Sequence, residues 1–164
     1  VFKISILPIV KVFSALFVHV FFVAFALIIC SVNGYTPTFH TLQIFYYTGC
    51  TFVFALALVY ATSAIVVFFR DLTQIINIIL QVGVWMTPIM WDLNMLSGHP
   101  LLMKAFKLNP MYYIVSGYRD SILGKTWLTE HWKWGIYFWV VTIIIFAFGS
   151  VIFKRLKPHF ADVL

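Results

Sequence analysis

Residues 12–32 carry one basic or acidic side chain, His19, and at ~1.5 Å of rise per residue the run reaches ~31 Å, enough to cross a hydrocarbon core of ~30 Å. A run of this kind restricts the chain to membrane folds. Residues 42–69 form a second apolar run, separated from the first by the dense turn signal Asn33-Gly34-Tyr35-Thr36-Pro37 and closed by Arg70-Asp71. Asp71, with Gln74 three residues on, has the spacing of a capping box. It would open a third span over residues 72–90, bent where Pro88 interrupts it. The last apolar run, 134–153, ends in Lys154-Arg155-Leu156-Lys157, a basic stop that marks the cytoplasmic side. With 63% hydrophobic and 10% charged residues, the chain has too little polar surface for a soluble domain of its length.

Between the third and last runs the pattern changes. Residues 91–133 hold acids and bases and no stretch long enough to span. Two short helices are expected there, one over about 100–108 and one that Asn109 caps, Pro110 opens and Gly124 closes. Met111, Ile114, Val115, Tyr118 and Ile122 follow helical spacing along one face of the second, with Ser116, Arg119 and Asp120 off it. At about 14 residues, or ~21 Å, it is too short to cross alone. It reads as a re-entrant or interfacial hairpin, with an amphipathic helix flat on the bilayer as the alternative. The expected fold is an all-α integral membrane protein, a single transmembrane domain over residues 1–164 with about four spans. Lys3, Lys11, Arg70, Lys154, Arg155 and Lys157 then share one side, placing both ends in the cytoplasm and residues 91–133 outside.

The chemistry available to such a chain is limited. His19 is the lone titratable group of the first span, and His40, His99 and His131 lack metal-ligand spacing, so neither catalytic residues nor a metal site is expected. Cys30 and Cys50 sit in apolar runs and read as small packing residues. Gly124-Lys125-Thr126 lacks the Gly a phosphate-binding loop needs five positions earlier, where Arg119 stands, so no nucleotide or other cofactor is expected. The net charge of +6 is dispersed rather than striped, which excludes a nucleic-acid footprint. No carboxylate sits mid-span, so energy for uphill transport would come from a partner rather than an ion relay.

Several segments taken together have a familiar look. Lys3 with Leu7-Pro8 leads into the first span near Lys11; Phe69-Arg70-Asp71-Leu72 with Ile75 leads to Trp85-Met86-Thr87-Pro88-Ile89; and Leu108-Asn109-Pro110-Met111 follows. In this order they resemble the ABC-2 family of export permeases, in particular those for teichoic acid, O-antigen and capsular polysaccharide. The second and third segments resemble that family's FRD-type loop, the TPI-type end of its fifth helix and the NP element of its re-entrant region. Since family permeases have six spans, the chain looks like the last four. The resemblance implies a multi-pass protein of the bacterial inner or plasma membrane, a homodimer of permease subunits, a separate ABC ATPase subunit and a lipid-linked polysaccharide substrate moved among membrane lipids. It places Arg70 and Asp71 in a cytoplasmic loop that meets the ATPase, although Asp71 as helix cap and Arg70 as topology anchor is the plainer reading. Asn109, Pro110 and Tyr113 fall in the outer gate. Trp85 and Tyr113 are the candidates for stacking against sugar, while Trp91, Trp127, Trp132 and Trp134 fit an ordinary aromatic belt. An ABC-2 drug or lipid exporter is the nearest alternative; a membrane-bound enzyme or scaffold is the alternative from another class.

Overall fold

A computed structural model describes residues 6–69 and 71–157. These residues form six α-helices and three short 3-10 turns: α1 (Leu7–Val32), α2 (Gln43–Phe68), α3 (Leu72–Met86), α4 (Pro100–Lys107), α5 (Pro110–Leu123) and α6 (Trp132–Leu156). The chain is all-α, as its apolar runs imply. Three helical segments are long and apolar enough to cross a membrane, namely Leu7–Val32, Phe39–Phe68 and Leu128–Leu156, with mean hydropathies of 2.7, 2.3 and 2.4.

The third run behaves differently. Its helix stops at Met86 rather than continuing to residue 90. Thr87 takes an extended backbone (φ −96°, ψ 125°), the conformation forced on a residue that precedes proline, so Pro88 ends the helix instead of bending it. The 15 residues of α3 reach ~22 Å, short of a full hydrocarbon core.

Helices α2 and α6 form the central pair. Gly149 lets them touch, since a Cβ there would lie 2.7 Å from the backbone nitrogen of Ala61; small residues at such crossings bring backbones close where no water drives association. One core cluster joins Tyr47, Cys50 and Phe54 of α2 to Tyr113 and Ile114 of α5 and Phe138 of α6. A second, toward the other end of the pair, packs Ala64 against Phe153. Of α1 only Pro8 and Val12 are buried, and of α3 no residue is.

Helix α5 is thus set among the spans rather than flat on a surface. Its buried residues are Tyr113, Ile114, Gly117 and Ser121. This face is rotated from the one that hydropathy picks out, because two of the four are small and polar or featureless. Gly117 is buried because α2 needs the room: a Cβ there would overlap the ring of Tyr47. Ser121 tolerates burial by donating its hydroxyl to the Gly117 carbonyl at 2.6 Å.

Candidate functional site

The two ends of α5 carry the local chemistry that defines it. Asn109 adopts an extended backbone, and its side-chain oxygen accepts from the Met111 amide at 3.0 Å, so it is an N-cap in fact as in sequence. Pro110 occupies the first turn, where no amide proton is missed. At the other end Gly124 is left-handed (φ 63°) and its amide returns to Asp120.

Asn109 also does something its cap role does not require. Its side-chain amide donates to the Thr87 hydroxyl at 2.9 Å, and that hydroxyl donates in turn to the Gly83 carbonyl at 2.8 Å. The Thr87-Pro88-Ile89 segment and the Asn109-Pro110 segment, separate in sequence, are therefore one hydrogen-bonded unit. Arg119 strengthens it from the far side of α5, donating to the carbonyls of Ile89 and Trp91. Thr87 and Pro88 are buried under this junction.

Tyr113 lies inside the core, 6% exposed, its ring stacked on Phe138 at 5.4 Å and edge-on to Tyr47 at 5.6 Å. It packs the hairpin against α2 and α6; its ring offers no open face to a sugar. Trp85 is the opposite case, 75% exposed near the end of α3, and no ring contact joins the two among the described residues. Trp91 packs edge-on against Phe106.

The predicted capping box at the start of α3 is absent. Asp71 has a helical backbone (φ −64°, ψ −20°) and its side chain makes no capping bond, because a cap needs an extended residue whose side chain swings over the first turn. The exposed amides are met instead by backbone: Leu72 N–H reaches the Phe69 carbonyl, and those of Gln74 and Ile75 reach Asp71. Asp71 is exposed; Arg70 lies outside the described residues.

Two features escaped a reading by motif. His19 is not alone: its Nε2 lies 2.8 Å from the Tyr118 hydroxyl, which lies 2.8 Å from Thr48 Oγ1. The partners are 99 positions apart, beyond any sequence pattern. The second is a stripe on α3. Gln74, Asn77, Gln81 and Trp85 fall within about 80° of arc at ~100° per residue, and all four are exposed. The half-buried residues of α3, Leu72, Ile76 and Gly83, form the opposite face. Among the described residues the three amides have no hydrogen-bond partner. The period was visible in the sequence; which way it faced was not.

Residues 2–123 match the family described as ABC-2 type transporter. The O-antigen export system permease protein RfbA of Myxococcus xanthus is 28% identical over 118 residues, covering 72% of this chain and 45% of that protein. The chain thus spans less than half the length of this curated relative.

Proposed function

The chain belongs to the ABC-2 type transporter family, and from that premise we propose that it is a permease component of an exporter that moves a lipid-linked cell-envelope polymer, with ATP hydrolysed on a separate subunit. The observation that carries this reading is the amide stripe of α3. Three unpaired amides facing hydrocarbon would each cost several kcal/mol on the order of magnitude of an unmet hydrogen bond in an apolar medium. They point away from the rest of the chain. A passage filled by water and a hydroxyl-rich polymer satisfies them, and Trp85 at the end of the stripe supplies an aromatic face on which a pyranose ring stacks.

In this arrangement two copies of the permease enclose the passage between their α3 helices, and the α4–α5 hairpin is the outer gate. Asn109 and Pro110 fix where the hairpin meets the end of α3, and Tyr113 fixes how it sits on α2 and α6. Both ends of the chain face the cytoplasm, and Arg70 and Asp71 form the cytoplasmic turn that meets the ATPase. A lipid-linked O-antigen, teichoic acid or capsular chain fits the polar lining better than an apolar drug, whose passage would not need amides.

The test replaces Gln74, Asn77 and Gln81 together by Leu in the permease as it stands in its membrane, assayed for polymer transport into vesicles with its ATPase. The expected result is normal accumulation and ATPase association with export reduced at least about tenfold. Unchanged export by the triple variant overturns the assignment of α3 to the passage. Arg70→Ala should leave accumulation intact and weaken ATPase stimulation; undiminished stimulation would leave Arg70 a topology anchor.

A further inference from the structure

His19 stands near the middle of α1 (Leu7–Val32), ~18–20 Å from either end of the helix. A histidine at that depth is costly and persists only with a partner. Its partner is the hydroxyl of Tyr118, at 2.8 Å, with the two rings edge-on at 5.8 Å between centroids. Tyr118 belongs to α5, and the same hydroxyl reaches Thr48 Oγ1 of α2 at 2.8 Å. One phenol both donates and accepts, so the three side chains form a chain of two hydrogen bonds, centred on Tyr118, across three helices.

The rest of α1 is loosely held. Beyond Pro8 and Val12 it buries nothing, and its large side chains Phe17, Phe21 and Phe22 are exposed. Apolar contact between lipid-facing side chains gives little preference for one seat over another, since lipid is as apolar as the neighbouring helix. A directional polar bond does give such a preference. The α5 side of the contact is rigid: Gly117, next to Tyr118, lies directly against the Tyr47 ring, and Asn109 ties the helix start to Thr87.

We propose that His19, Tyr118 and Thr48 form a latch within the membrane that seats α1 against α5 and α2 and links any displacement of α1 to the outer gate. Shifting α1 along its axis by even one helical step separates Nε2 from the phenol, and α5 then keeps Thr48 of α2 but loses its polar bond to α1. Two discrete arrangements, bonded and unbonded, make the link a switch rather than a graded spring. This inference rests on reading the α4–α5 hairpin as the gate.

The experiment uses the permease in proteoliposomes without ATP, with two readouts. One is leakage of a small membrane-impermeant dye; the other is the distance distribution between spin labels on Phe22→Cys and Leu123→Cys, in a background with Cys30 replaced by Ser. Tyr118→Phe removes one oxygen and keeps the ring. It removes both of the phenol's hydrogen bonds, so it should broaden the α1–α5 distances and raise leakage by at least the roughly tenfold that loss of one hydrogen bond of ordinary strength produces in a two-state equilibrium. His19→Phe breaks the bond to α1 and leaves the one to Thr48; it should broaden the same distances, and the double variant should do no more than Tyr118→Phe alone. Unchanged distances in a folded Tyr118→Phe protein overturn the latch, as do additive effects in the double variant or failure of the single variants to accumulate. Broadened distances with unchanged leakage keep the latch and refute the gate. Absent polymer export by the unmodified protein counts against the permease reading alone, since the distances do not depend on it.

Discussion

The α2–α5–α6 unit and the two outlying helices, α1 and α3, are built on different terms. In the first, ring stacks on ring, Phe138 is fully buried, Gly149 brings α6 to the backbone of α2, and Gly117 makes room for the Tyr47 ring. In the second, most side chains are exposed, and attachment to α5 runs through a few polar contacts: His19 to Tyr118 for α1, and Thr87 to Asn109, backed by Arg119, just beyond the end of α3. Packing makes the first unit a frame. Point contacts allow the outlying helices to move against it, which is what the proposed passage would require of its walls.

If that contrast holds, truncating the frame should cost most. Phe138→Ala removes the ring that Tyr113, Phe54 and Trp139 touch, and about 3–5 kcal/mol of stability should go with it, read as a lower midpoint in detergent unfolding. Ile79→Ala, on 62% exposed surface of α3, should cost less than about 0.5 kcal/mol; a comparable loss at both sites would erase the distinction between frame and walls.

Gly149→Leu forces side-chain atoms into the Ala61 backbone and should cost about 1–3 kcal/mol, with poorer accumulation in the membrane. Backbone cannot rotate away as a side chain can, so a neutral result would mean that α2 and α6 slide freely.

Asn109→Ala removes a cap and a tie together and should cost about 1–2 kcal/mol. Asn109→Ser sharpens the comparison: it restores the cap but falls short of Thr87, so its stability should recover while export stays impaired. Full recovery of both would reduce the Thr87 contact to packing.

Apart from the exposed Ile79, the smallest expected effect is at Gly124, whose left-handed backbone (φ 63°) penalises any side chain. Gly124→Ala should cost about 1 kcal/mol, detectable as a small drop in the unfolding midpoint.

Local chemistry was legible and long-range partnership was not. Apolar runs gave the spans because bilayer thickness sets a length that composition alone can meet, and Asn109 and Gly124 bounded α5 because each acts on backbone within a few residues. The Asp71 cap misled because residue type and spacing do not report backbone angle. The end of α3 at Met86 was open to the rule for residues before proline, though a bend and a stop look alike in sequence. Gly117 and Ser121 disguised the buried face of α5, since hydropathy weighs bulk and the site needed room. Nothing local connects His19 with Tyr118.

Gln43 carries a consequence for how the protein is made. Buried at the start of α2, its amide donates to the Thr126 carbonyl at 3.2 Å and accepts from the Leu128 amide at 2.6 Å. Thr126 is synthesised 83 residues later, which at ~5–20 residues per second is a wait of roughly 4 to 17 s. Throughout that interval the amide has only water and its near neighbour His40 to bond, so the start of α2 lacks both of these long-range bonds until the loop before α6 emerges.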